Sequence, residues 1–224
     1  FCCAVPGCWH VMGVTQGAGL SLKWFRDQFC QDYVERARQM GIDPYVLMDQ
    51  DAAQVPVGSN RLLYLPYLMG ERTPHLDPDC RGVFFGLSAI HTRQDMLRAV
   101  MEGVTHSLRD CYDILLEMDV HPEQMMACGG GGTSALWRQM LADLYGCQVA
   151  TVSSKEGPAL GVAILAGVGT GLFPSVEEAC RKFIGTDRVC PPIPEHTQQY
   201  ARYHEVYRGL YPALKDSFRQ LQEL

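Results

Sequence analysis

The chain is 224 residues long, 47% hydrophobic and 20% charged, an ordinary globular composition with room for a sizeable core rather than that of a disordered segment. Its 19 basic against 25 acidic side chains leave a net charge of -6, and only four of the basic residues are lysines, which argues against a basic face for nucleic-acid backbones. No apolar run approaches the roughly eighteen residues that a spanning helix needs, and no charged segment leads into an apolar stretch at the start, so membrane and secreted classes are set aside and a cytoplasmic setting is expected.

The first residue, Phe1, falls inside an apolar, strand-like run, which reads as a piece of a longer chain. CCAVPG followed by CWHVMGV, around Pro6 and Gly7, predicts a hairpin. From Leu20 to about Met40, Leu20, Trp24, Phe25, Cys30 and Val34 recur near helical spacing, which predicts one amphipathic helix stopped at Gly41. A weaker helix is expected over 44–53. LLYLPYL at 62–68 reads as a strand running into the polar loop GERTPHLDPDCRG, and GVFFGLS as the next strand. Glu71 and Arg72 in that loop read as an exposed charged pair, with Asp77, Asp79 and Arg81 beside it, and a structural or subunit-interface role is favoured over a catalytic one. Residues 92–118 carry a long helical pattern, with Glu102 and Asp110 expected in solvent or at a cap.

Residues 125–128 predict a short buried strand, Gly129 to Gly132 an irregular loop, and 133–145 a helix capped by Thr133 with Leu136, Met140, Leu141 and Leu144 inward. A further strand over 147–152 and a helix over 158–166 make the order β, α, β, α, the mark of a layered α/β domain. Helices near 175–184 and 195–223 are expected at the periphery, the last after a PPIP linker within 191–224. The ten cysteines, spread from Cys2 to Cys190 without a C-x-x-C pair, read as core thiols; Cys2, Cys3 and Cys8 come nearest to a cluster, and alternation along a hairpin points neighbours apart. His75, His106 and His121 read as ordinary polar or core histidines.

Four consecutive glycines cost backbone entropy, which a chain tolerates where φ must be positive or where something approaches the main chain closely. The open start of the following helix suits an anion or a ribose. Walker spacing is absent, so on spacing alone a nucleotide site and a plain turn stand level.

GVFFGLSAIHTRQDMLRAVME at 82–102, with Gly82, Phe84, Gly86, Leu87, Asp95, Ala99 and Glu102 in place, resembles the C-terminal signature of the FGGY family of carbohydrate kinases. LPYLMGERTPHLDPDCRGVFFGL, GGGGTSALWRQMLADLYG and GPALGVAILAG resemble the corresponding blocks of its xylulokinases, and the likeness runs from residue 1 to about 215. The resemblance implies the α/β actin-like ATPase (ribonuclease H-like) fold, three-layered with a mixed sheet, in which 1–224 is the C-terminal lobe of a two-lobe kinase. It implies ATP, with Mg2+ held through the nucleotide phosphates, and a sugar; the partners implied are the N-terminal lobe of the same parent and, as an open possibility, a second copy in a homodimer. The catalytic aspartate and both phosphate loops of such kinases match no residue here, so no catalytic residue is assigned and the chain alone is expected to be inactive. By the same resemblance Gly129, Gly130 and Gly131 lie under ribose and α-phosphate, Ser134 stands where relatives face the nucleotide, and Gly19 and Lys23 line the adenosine pocket. Trp24 beside them stands equally for an aromatic wall and for a core residue. The alternatives are a kinase for another ketose or polyol, or a non-catalytic actin-like nucleotide-binding module.

Overall fold

The computed structural model describes residues 1–154 and 156–224. The hairpin forms as expected, Cys2 bridging Trp9 across a turn in which Gly7 has φ +78°. The single helix expected over 20–40 is two: α1 (Ala18–Phe29) and α2 (Gln31–Met40) meet at Cys30, whose φ of -127° and ψ of 35° leave the helical region. Gly41 ends α2 in the left-handed conformation, which suits a residue with no Cβ. Asp43 opens α3 (Pro44–Ala52), its carboxylate accepting from the Tyr45 N–H at 3.0 Å, with proline at the first turn where no N–H is required.

β1 (Leu63–Leu65) pairs antiparallel with β2 (Val83–Phe85), Tyr64 opposite Phe84. Alternation along β1 gives each core its share, Tyr64 joining the cluster of α1, α4 and α6 and Leu63 and Leu65 joining a second cluster with Tyr67, Tyr207 and Phe218. The 25-residue helix α4 (Arg93–Glu117) starts at a capping box in which Thr92 and Asp95 satisfy each other's backbone. It crosses β1 so closely that a Cβ at Gly103 would stand 2.1 Å from the Tyr64 carbonyl oxygen.

Three charges expected in solvent are buried. Glu71, 4% exposed, accepts from Thr15 Oγ1 (2.6 Å), the Gln16 N–H (2.9 Å) and the Arg72 N–H (2.7 Å), so the loop charge staples the start of the chain instead of forming a surface pair. Glu102, 2% exposed, accepts from the Gly58 N–H, Ser59 Oγ, Arg98 Nε and Tyr200 Oη. Asp110 is 6% exposed. A long amphipathic helix leaves such residues outside only if one face stays in water, and here the last helix of the chain, over 194–222, covers that face with Tyr200 and His204. Core burial also holds for only part of the cysteines: all ten are free, Cys30, Cys80 and Cys111 are buried, and Cys2, Cys8 and Cys128 are exposed.

The second half supplies β3 (Gln124–Met126), α5 (Gly129–Thr133), α6 (Ala135–Tyr145), β4 (Gln148–Val152), α7 (Gly157–Gly169), α8 (Val176–Phe183), β5 (Thr186–Cys190) and α9 (Pro194–Gln222). The sheet runs β3-β4-β5, parallel then antiparallel, which is the mixed α/β sheet expected, with β5 added by a segment that the sequence did not mark as a strand. The glycines are not an irregular loop: 129–133 close one helical turn, and Ser134 rather than Thr133 caps α6. Nor is α9 peripheral, since it buries Tyr200, His204, Tyr207, Leu210, Tyr211 and Phe218. Among the described residues no helix is long and apolar enough to cross a membrane.

Candidate nucleotide-binding cleft

After β3 the chain must reverse within two residues, and Gly129 does so at φ +71°, a region that costs a side chain strain. Gly132 is required for a different reason: a Cβ there would stand 2.6 Å from the Ala127 carbonyl oxygen. Gly130 answers to neither demand. Nothing lies within 4 Å of where its Cβ would be, and the same is true of Gly19 on α1. These two positions leave bare backbone in the lining of one cleft of about 470 Å³, bounded by α1, α3 and the glycine turn.

Trp137 forms the floor. Its indole Nε1 donates to Thr105 Oγ1 at 2.9 Å, which fixes the ring, and a Cβ on Gly131 would touch that ring at 3.5 Å. Tyr45 of α3 also lines the cleft, so a flat ligand finds two aromatic side chains there. Arg138 secures the turn from below, its guanidinium donating to the Gly132 carbonyl at 2.6 Å and the Thr133 carbonyl at 3.0 Å. Ser134 Oγ accepts from the Trp137 N–H at 3.0 Å, and its own hydroxyl is directed to Asp49. Asp49 on α3 lines the same cleft; burial raises its pKa, opposed by the Ser134 hydroxyl and the Arg138 charge. Asp43 adds a second carboxylate to that wall. The acidic α3 side therefore suits hydroxyl or amino donors, and an anionic group is better placed toward the glycine turn.

Of the residues singled out from the sequence, Gly19, Gly130, Gly131 and Ser134 come together on this cleft. Gly129 starts the turn but opens on a neighbouring depression with Cys128 and Ser153. Lys23 is taken up by Asp27 one helical turn on, at 2.5 Å, and does not reach the wall. Trp24 is half-buried and packs against the core cluster, edge-on to Phe29 at 5.4 Å between ring centroids, and it is not among the residues that line this cleft. The aromatic part expected of it falls to Trp137 and Tyr45, and Asp49 and Arg138 were likewise not singled out from the sequence. Their one sequence signal is position: Trp137 and Arg138 sit in the first turn after the glycines.

The model of the FGGY family of carbohydrate kinases, C-terminal domain, matches residues 3–170. The chain belongs to that family. The FGGY chain is 37% identical over 212 residues to the xylulose kinase of Staphylococcus epidermidis, covering 95% of this chain and 41% of the relative, and 35% identical over 216 residues to the gluconokinase of Bacillus subtilis, covering 96% and 42%. It thus spans about two fifths of the length of the curated relatives it matches. Its fold superposes on a ligand-bound xylulose kinase from Lactobacillus acidophilus with a TM-score of 0.81 and 28% identity, over 92% of this chain and 40% of that one. A gluconate kinase from the same organism gives 0.81 and 29% over the same shares. The α/β class with a mixed sheet and the actin-like C-terminal lobe expected from the sequence both hold.

Proposed function

We propose that this FGGY domain is the nucleotide-binding lobe of an ATP-dependent sugar kinase, whose whole protein moves the γ-phosphoryl group of ATP to the terminal hydroxyl of D-xylulose. The observation that carries the reading is bare backbone at Gly130 and Gly19 in the lining of one cleft with the fixed ring of Trp137, since a purine nucleoside needs a flat apolar slot and a ribose needs close approach to the main chain. Family membership supports phosphoryl transfer as the chemistry, and the xylulose kinases among the relatives support the sugar. D-Gluconate is the second reading, favoured by the equal TM-score of the gluconate kinase.

In-line transfer requires an attacking hydroxyl, a base and neutralised phosphates. This chain's share is to bind and orient the nucleoside: Gly130 and Gly131 under the ribose, Trp137 and Tyr45 on the base, Ser134 and Asp49 toward hydroxyls or an amino group. Family membership supports Mg2+ as the ion that would be held through the nucleotide phosphates, where it would screen their charge. An N-terminal lobe of the same protein supplies the base and the phosphate loops, and the reaction belongs to the cytoplasm.

The test is titration of the 224-residue chain with AMP, ADP and ATP, followed by NMR. Binding is expected near 1 mM, about 4 kcal/mol, with little dependence on phosphate number. Gly130→Val places a branched side chain in the ribose's path while meeting no protein atom, and is expected to abolish binding with the fold intact. Unmoved signals at the glycine turn, tight ATP binding, or turnover of ATP and sugar by this chain alone would overturn the proposal. Between the sugars, kcat/KM of a longer protein carrying this domain decides.

A further inference from the structure

A second cavity, about 610 Å³ and solvent-connected, lies between α4, α6 and α9. Asp113 and His204 line it, and with Asp110 beside them three side chains converge. Asp110 and Asp113 project from one face of α4, three residues apart, and His204 reaches them from α9. His204 Nε2 is 3.5 Å from Asp110 Oδ1 and 3.2 Å from Asp113 Oδ2, and one donor atom of each of the three lies within 4.8 Å of the others. In a tetrahedral site with metal–ligand bonds of about 2.0–2.2 Å the ligand atoms stand about 3.3–3.6 Å apart, so two of these three separations are already close to the edges of such a polyhedron.

The independent observation is Asp110. Its side chain is 6% exposed and aimed into the cluster, yet among the described residues it accepts no hydrogen bond; the nearest cationic nitrogen besides His204 is Arg208 Nε at 4.0 Å, on a side chain that is 59% exposed. A buried carboxylate without a donor is costly, and a cation removes that cost. Asp113 differs: Oδ1 accepts from Arg109 Nε at 2.6 Å, and Oδ2 faces His204 Nε2 at 3.2 Å, a contact that a shared cation would replace. His204 Nε2 faces both carboxylates. Behind it His204 Nδ1 lies 3.1 Å from Nδ1 of the fully buried His106, the outer hydrogen bond that orients a metal-bound imidazole. Arg109 and Arg208 balance the two carboxylates before a cation enters, and only Arg109 touches them closely.

We propose that Asp110, Asp113 and His204 form a binding site for a first-row divalent cation of the zinc class, with water in the open position, clamping α9 to α4. Zinc accepts this nitrogen-and-oxygen set and Co2+ reports it optically.

The experiment uses the 224-residue chain stripped with EDTA and titrated with CoCl2, then with ZnCl2. One equivalent of Co2+ is expected to give visible ligand-field absorption without a thiolate charge-transfer band, to be displaced by Zn2+, and Zn2+ is expected to raise the melting temperature. Asp110→Asn and Asp113→Asn are each expected to weaken binding at least tenfold and to abolish the zinc-dependent rise. In EDTA, Asp110→Asn is expected to melt no lower than the parent, because it removes an unpartnered charge; if it does not fold, Asp113→Asn is read in its place. Binding that persists unchanged in the folded variants, binding only with sulfur charge transfer from the exposed cysteines, or no binding by the parent overturns the proposal.

Discussion

His75 lies flat against Tyr211, ring centroids 3.6 Å apart, with Asp77 and Lys215 as its charged neighbours. Burial is the main cause that pushes its pKa down to about 4, with Asp77 opposing and Lys215 assisting. The folded protein keeps this imidazole neutral while the unfolded chain protonates it near its ordinary 6.5, so below 6.5 the unfolded state binds more protons and stability is lost as pH falls toward 4. His75→Gln removes that contribution: its urea midpoint is expected to drop less between pH 7 and pH 5 than the parent's, and an equal drop in both would refute it. At this scale the glycines of the cleft were legible because four in a row have few other uses. The choice between two tryptophans was not. Trp24 and Trp137 both stand near a glycine on amphipathic helices, and which ring faces the cleft depends on how α1 and α6 meet, a non-local fact. Lys23 is the opposite case, since its capture by Asp27 four residues on is written in the local spacing.

Among elements, α4 was readable because 25 residues of periodicity begin at a Thr-x-x-Asp box, and local rules then agree with the tertiary result. β5 was not, since TDRVC lies on an exposed edge and shows no alternation to detect. The glycine turn adopts helical geometry through the guanidinium of Arg138 on its carbonyls, a tertiary contact that glycine propensity opposes. Contact between α4 and β1 allows a sharp prediction. Gly103→Ala drives a methyl group against the Tyr64 carbonyl oxygen, backbone against backbone, with no flexible chain to yield. It is expected to cost at least about 1–3 kcal/mol in denaturant titration, where an ordinary helical Gly→Ala change stabilises by up to about 1 kcal/mol. Stabilisation would show that α4 can lift from β1.

For the molecule as a whole, α9 is the piece whose placement was misjudged. Its Tyr- and His-rich stripe, Tyr200, His204, Tyr207 and Tyr211, has the composition of a solvent-facing helix side and is nevertheless buried. Tyr207 packs with Leu63, Leu65, Tyr67 and Cys80 in the second cluster. Tyr207→Ala is accordingly expected to cost about 3–5 kcal/mol, as for other large buried aromatics, measured by thermal or urea unfolding; a loss under 1 kcal/mol would return α9 to the periphery.

The carboxylate of Glu102 also has a temporal meaning. Its donors come from Gly58 and Ser59, 44 and 43 positions upstream, and from Tyr200, 98 positions downstream, so it is completed only after two long loops have closed. Closing such loops is slow and entropically unfavourable, which places this junction after the rate-limiting barrier of folding. Glu102→Gln should then leave the refolding limb of a chevron nearly unchanged and steepen the loss on the unfolding side, shortening the lifetime of the native state more than it delays its formation.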